Sequence, residues 1–122
     1  MILADTSVWI DHLRSPDPVM SALLQSGKIT IHPFVITEIA LGSLRDRRKK
    51  LTALDALRAV NVAEGDEVRR LIESHSLYSN GLGLTDVHLI ASCLMTMGVQ
   101  LWTRDKALAG VAKSFGIQAN LP

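Results

Sequence analysis

Short apolar runs alternate with helix-length segments along this 122-residue chain, and that alternation limits the fold more than any other feature. Met1 to Ala4 is apolar and meets a carboxylate, Asp5, at once, as a buried strand ending at a sheet edge would. Lys28 to His32 places Ile29 and Ile31 on one face of a second strand. Val99 to Trp102 reads as another, Ile117 to Leu121 as a closing edge strand, and Val60 to Val62 as a weaker candidate. Between them, spacing predicts helices over Val8 to Arg14, over Pro18 to Gly27 with Asp17 as cap, and over Thr37 to Leu44, starting near Pro33. Leu51 to Ala59 forms a further one. From Glu64 onward, Val68, Leu71, Ile72, His75 and Tyr78 recur at helical spacing. A largely apolar helix runs from Asp86 to Met97 with Thr85 as cap, and a last one from Asp105 to Phe115. Strands separated by one or two helices imply right-handed crossovers and a parallel sheet covered on both faces. The expected fold is α/β: a three-layer α/β/α sandwich around a mainly parallel sheet of about five strands, with residues 1–122 as one domain.

Composition narrows the class further. At 48% hydrophobic residues the chain can build a core and is not intrinsically disordered. No apolar run approaches the roughly 18 residues of a membrane span, and the N-terminus lacks a signal peptide's pattern. The single Cys93 has no internal disulfide partner, which suits a reducing, cytoplasmic setting. Lys and Arg number 13 against 12 Asp and Glu, so the chain does not coat nucleic acid by bulk charge. Aromatic residues are 4%, too few for a base-stacking platform.

In open parallel sheets, ligands sit beyond the carboxyl ends of the strands. Asp5 follows the first strand, Asp105 lies just past Trp102, and Asp86 opens a buried helix that can reach the same crevice. Glu38 stands inside the apolar run Phe34 to Leu41, where an ionised carboxylate is costly unless paired or metal-bound. Each acid alone has a structural reading. Asp5 can be a turn residue, Asp86 and Asp105 can meet helix dipoles, and Glu38 can point outward. Together, four acids near one sheet edge repel one another unless a cation holds them. An all-carboxylate set without Cys or His suits Mg²⁺ or Mn²⁺. No Walker-type glycine loop is present, so phosphodiester hydrolysis fits better than NTP hydrolysis.

These residues also carry a family resemblance. The opening Leu3-Ala4-Asp5-Thr6-Ser7-Val8-Trp9-Ile10-Asp11 resembles the start of PIN-domain nucleases, in particular VapC toxins of VapBC toxin–antitoxin pairs. Thr37-Glu38-Ile39-Ala40, Leu84 to Ala91 and Leu101-Trp102-Thr103-Arg104-Asp105 follow in the family's order over the whole chain. The resemblance implies a PIN fold whose Asp5, Glu38, Asp86 and Asp105 gather around one or two Mg²⁺ or Mn²⁺ ions. It implies endoribonuclease activity leaving a 5′-phosphate and a 3′-hydroxyl, and a homodimer bound and blocked by a VapB-type antitoxin in a hetero-oligomer. Thr6, Ser7 and Thr103 are then accessory groups. Many relatives carry a further acid just after the fourth, where this chain has Ala107.

Two other readings compete. A haloacid-dehalogenase-type phosphatase also places an Asp after its first strand but wants a second Asp where Ser7 stands. A catalytically inactive PIN-like module would bind RNA or protein without needing the four acids. Arg45 to Lys50 holds five cations and one acid, which either steer RNA phosphates or form a solvated segment between helices. Arg14 and Arg104 lie nearer the crevice and, with Arg47 and Arg48, are candidate substrate contacts. His12, His32, His75 and His88 lack ligand spacing, Cys93 reads as a buried inert thiol, and Trp9 and Trp102 as core.

Overall fold

The strand β1 (Ile2–Ala4) lies in the middle of a parallel sheet, between β2 (Ile29–Thr30) and β3 (Gln100–Trp102). Leu3 faces Thr30 on one side and Leu101 on the other, and Ala4 faces Trp102. The computed structural model describes residues 1–122.

The sheet is narrower than the five strands expected. Ala59 and Gln118 each join it through a single parallel bridge, to Ile31 and Leu101 respectively. At the first edge, the Ile31 N–H donates to the Arg58 carbonyl at 3.0 Å and the Val60 N–H to the Ile31 carbonyl at 2.9 Å. Pairing ends there because Pro33 turns the neighbouring chain into a helix. At the other edge, β3 ends at Trp102 and leaves the 117–121 segment without a longer partner.

Seven helices cover the sheet, and several start earlier than expected. In α1 (Thr6–Arg14) Asp5 itself is the N-cap. The helix α2 (Pro18–Gln25) begins on Asp17, whose side chain accepts from the Val19 and Met20 N–H groups. The start of α3 (Pro33–Leu41) is set by Pro33, whose fixed φ suits a first helical position, and by His32 as N-cap. The basic run enters α4 (Arg47–Asp55) directly, with Asp46 in the left-handed region at φ 53° before it. The helix α5 (Gly65–Ser74) stops before Tyr78, so Tyr78 is exposed and Leu77 is the buried residue of that turn. His75 also falls outside the core and meets Phe115 edge-on at 4.8 Å. Gly83, not Thr85, is the N-cap of α6 (Leu84–Met95). Asp105 caps α7 (Lys106–Ser114).

One core gathers the sheet with Val8, Trp9, Met20, Val35, Ile39, Ile90 and Leu108; a smaller cluster of Ala63, Val68, Leu77, Val87 and Ala91 joins α5 to α6. Val87 through Cys93 are all buried, so α6 serves both clusters and holds its first turn firmly. Cys93 lies among them, and burial pushes its thiol up to about 12, which makes it inert. No helix is long and apolar enough to cross a membrane.

Candidate active site

Neighbouring parallel strands that end together deliver whatever follows them to one edge. The Asp5 N–H donates to the Trp102 carbonyl at 2.9 Å, tying the end of β1 to the end of β3. The Asp5 side chain is 5% exposed and heavily used. Its Oδ1 accepts from the Val8 N–H at 3.1 Å and the Ser7 hydroxyl at 2.7 Å, and its Oδ2 accepts from the Thr103 hydroxyl. A carboxylate offers about four lone-pair sites, so about one is left for a ligand.

Thr103 Oγ1 also accepts the Asp105 N–H at 3.1 Å, and Asp105 Oδ1 accepts from the Leu108 N–H at 2.9 Å as the cap of α7. Asp86, in the first turn of α6, is half-buried and accepts the Gly83 N–H at 2.9 Å. Burial raises the Asp86 carboxyl above the usual carboxylate range; Asp105, Asp5 and Glu38 push it the same way, and the Gly83 N–H opposes them. Glu38 takes the outward-pointing one of its two sequence readings. It is exposed on α3, between the buried Val35 and Ile39, and accepts from the Thr6 hydroxyl.

All four acids line one open cleft of about 340 Å³, with Thr6, Ser7, Ile10, Thr85 and Leu89 completing the wall. Ile10, Thr85 and Leu89 were not apparent from sequence, although Ile10 lies one helical turn after Thr6 and Ser7. No three of the carboxylates stand close enough to ligate one ion together. Mg²⁺ is usually held by one or two carboxylates and keeps several waters, so an all-oxygen set spaced around a cleft fits Mg²⁺ or Mn²⁺ better than Zn²⁺.

Ile10 and Glu38 also border a second groove of about 520 Å³, walled by Arg14, Arg45 and Lys50 over Leu13, Ile39 and Leu44. Three of the four candidate substrate cations are placed elsewhere. Arg47 donates to the Gly42 carbonyl at 3.1 Å and to the Ala40 carbonyl, closing the C-terminal end of α3. Arg104 is held by Asp11 at 2.8 Å and Asp17 at 2.7 Å. Arg48 lines neither the acidic cleft nor this groove, whereas Arg14 does line the groove. Arg45 and Lys50 are the members of the basic run that reach it.

His32 is fully buried, and its Nδ1 accepts the Phe34 N–H at 2.9 Å to cap the helix that carries Glu38. It packs against Phe34 at 4.9 Å and His88 at 5.9 Å between ring centroids. Burial first, and His88 second, lower it to about 4.

Comparison with known proteins places this arrangement. The PIN domain family matches residues 2–114. Ribonuclease VapC32 of Mycobacterium tuberculosis, in strains CDC 1551 / Oshkosh and ATCC 25618 / H37Rv, is 43% identical over 117 residues, covering 96% of this chain and 94% of the relative. With an N-terminal Asp at the centre of a parallel sheet, acids from three further segments around one cleft, and these matches along nearly its whole length, the chain belongs to the PIN-domain family, among its VapC members.

Proposed function

We propose that the chain is a metal-dependent endoribonuclease and the toxin of a VapBC-type pair. The observation that carries this reading is the convergence of Asp5, Glu38, Asp86 and Asp105 on one cleft at the carboxyl edge of the sheet. A relative described as a ribonuclease, 43% identical over 96% of the chain, supports the substrate class. Asp5, Asp86 and Asp105 would hold Mg²⁺ or Mn²⁺, directly or through water. Such an ion activates water and offsets charge on a phosphodiester.

The chain's own residues do the rest. Glu38 would reach such an ion through water or orient the attacking water, with Thr6 fixing its carboxylate. Ser7 and Thr103 hold Asp5 in a single orientation from either side. Arg14, Arg45 and Lys50 meet phosphates of the strand next to the cleaved bond. The VapB-type antitoxin and the homodimer belong to this proposal through the family, as does release of growth inhibition when the antitoxin binds.

The decisive experiment maps new 5′ ends in total cellular RNA incubated with the protein, in Mg²⁺, in Mn²⁺, in chelator, and with Asp86→Asn. New 5′-phosphate ends that need both metal and Asp86 are expected. No new ends from folded protein in either metal would favour an inactive RNA- or protein-binding module instead.

Charge reversal of Arg14, Arg45 and Lys50 should weaken RNA binding and flatten its salt dependence. Each lost phosphate contact lowers the log–log slope by about 0.7 on single strands. A slope equal to wild type in the triple variant would remove these residues from the substrate path.

A further inference from the structure

Arg104 stands between two residues of the acid centre, yet its side chain leaves the cleft. Its Nη1 donates to Asp11 Oδ2 at 2.8 Å, its Nη2 to Asp17 Oδ2 at 2.7 Å, and its Nε to the Pro122 carbonyl at 3.0 Å. The guanidinium also lies over the Trp102 ring, 5.4 Å from its centroid. One planar group therefore joins the end of α1, the cap of α2 and the C-terminal segment to the loop after β3. Charge-assisted bonds of this kind are short and directional, and a guanidinium spends them in a fixed fork.

The anchors are themselves held. Asp17 uses Oδ1 for the Val19 and Met20 N–H groups, which leaves Oδ2 aimed at Arg104. The Arg104 side chain is 31% exposed and that of Asp17 19%, so solvent competes only in part for this pair. Trp102 is fully buried and fixes the other side of the guanidinium.

The residues on either side of Arg104 in the chain face the acids. Thr103 donates to Asp5 and accepts the Asp105 N–H, while Asp105 caps α7 and lines the cleft. We propose that Arg104 is a positioning residue of the acid centre. Its clasp on Asp11, Asp17 and Pro122 holds the loop so that Thr103 stays on Asp5 and Asp105 faces the cleft. Substrate contact, the role its position in the sequence suggests, is replaced by this one. The proposal rests on the reading of the cleft as a divalent-metal site.

The test uses the full chain with Arg104→Ala, Arg104→Lys and Asp17→Asn. Asn keeps an acceptor to cap α2 but removes the charge that holds the guanidinium. Hydrogen exchange of the Asp105 amide, measured without metal, reads the loop. Mn²⁺ titration, with Asp86→Asn as control, reads the site.

Arg104→Ala should speed Asp105 exchange and weaken Mn²⁺ binding on the order of tenfold, the usual scale for groups that orient metal ligands. Asp17→Asn should do both to a smaller extent, and Arg104→Lys should recover part of each. On any RNA the wild type cleaves, kcat should fall while KM and the salt slope stay put.

Unchanged Asp105 exchange in all three variants would overturn the proposal, and so would faster exchange with Mn²⁺ affinity equal to wild type. If Arg104→Ala does not fold, Asp17→Asn and Arg104→Lys decide by the same two readouts. Wild-type protein whose Mn²⁺ binding ignores Asp86→Asn would overturn the metal-site reading itself, a result distinct from either failure of Arg104.

Discussion

Asp86→Asn should reduce RNA cleavage by more than about 10²-fold while leaving the fold intact. Disturbing residues that only orient a metal ligand already costs about 10–100-fold, so replacing a ligand should cost more. Asn retains an oxygen that can accept the Gly83 N–H, so the first turn of α6 keeps its bond. The variant also removes a half-buried charge that Asp105, Asp5 and Glu38 repel. Its thermal midpoint should therefore match or slightly exceed that of wild type in the absence of metal. Adding Mg²⁺ should raise the midpoint of wild type by mass action on the folded state, and the variant's far less. Thermal melts with and without Mg²⁺, set beside the cleavage assay, test each half. A variant that has lost both fold and cleavage would show that Asp86 serves the structure rather than the chemistry.

The second large effect concerns acid. His32 is fully buried and accepts the Phe34 N–H through Nδ1, so the folded protein needs it neutral. Its folded value of about 4 lies below the 6.5 of an ordinary histidine. Between those values the unfolded chain binds the extra proton and the folded chain does not. The stabilising contribution is therefore complete above pH 6.5 and is lost as pH falls from 6.5 toward 4. The difference of 2.5 corresponds to about 3 kcal/mol, at 1.36 kcal/mol for each pH unit. His88 is lowered by burial too, and adds to the same slope. Chemical denaturation across this pH range should show the loss, and His32→Asn should flatten it. Asn retains an N-cap acceptor, so α3 keeps its start even as the packing around Phe34 loosens. A slope that His32→Asn leaves unchanged would assign the acid sensitivity to other groups.

What could be read from the residues alone follows from how local each cause is. Asp5 and Asp105 were legible because an acid at or just past the end of an apolar run marks the carboxyl end of a strand. The largely apolar helix from Asp86 was legible because few of its faces carry charge. The edges of the sheet were not, because pairing there depends on where the neighbouring chain turns away, at Pro33 and after Trp102. Glu38 was legible only as a choice between two placements. Its run of apolar neighbours fitted either a paired, buried carboxylate or an outward one, and helical geometry sends Val35 and Ile39 inward and Glu38 out to the cleft. Arg104 and Arg47 were both taken for substrate contacts. Arg104's partners Asp11 and Asp17 lie 93 and 87 residues away, and no spacing rule reaches so far. Arg47's partners are only five and seven residues back, yet the turn that brings it onto the end of α3 needs Asp46 at positive φ.

The central position of β1 has a temporal consequence. Asp5 is made well before its partner Thr103, which lies 98 residues further on. At about 5–20 residues per second, several seconds of synthesis separate the two. Until β3 emerges, β1 lacks one of its two neighbours, and the acids have no common edge to gather on. An unfinished chain arrested before Gln100 should therefore leave RNA intact however much of its helical layer has formed. Any cleavage at this cleft would begin only once β3 has been made.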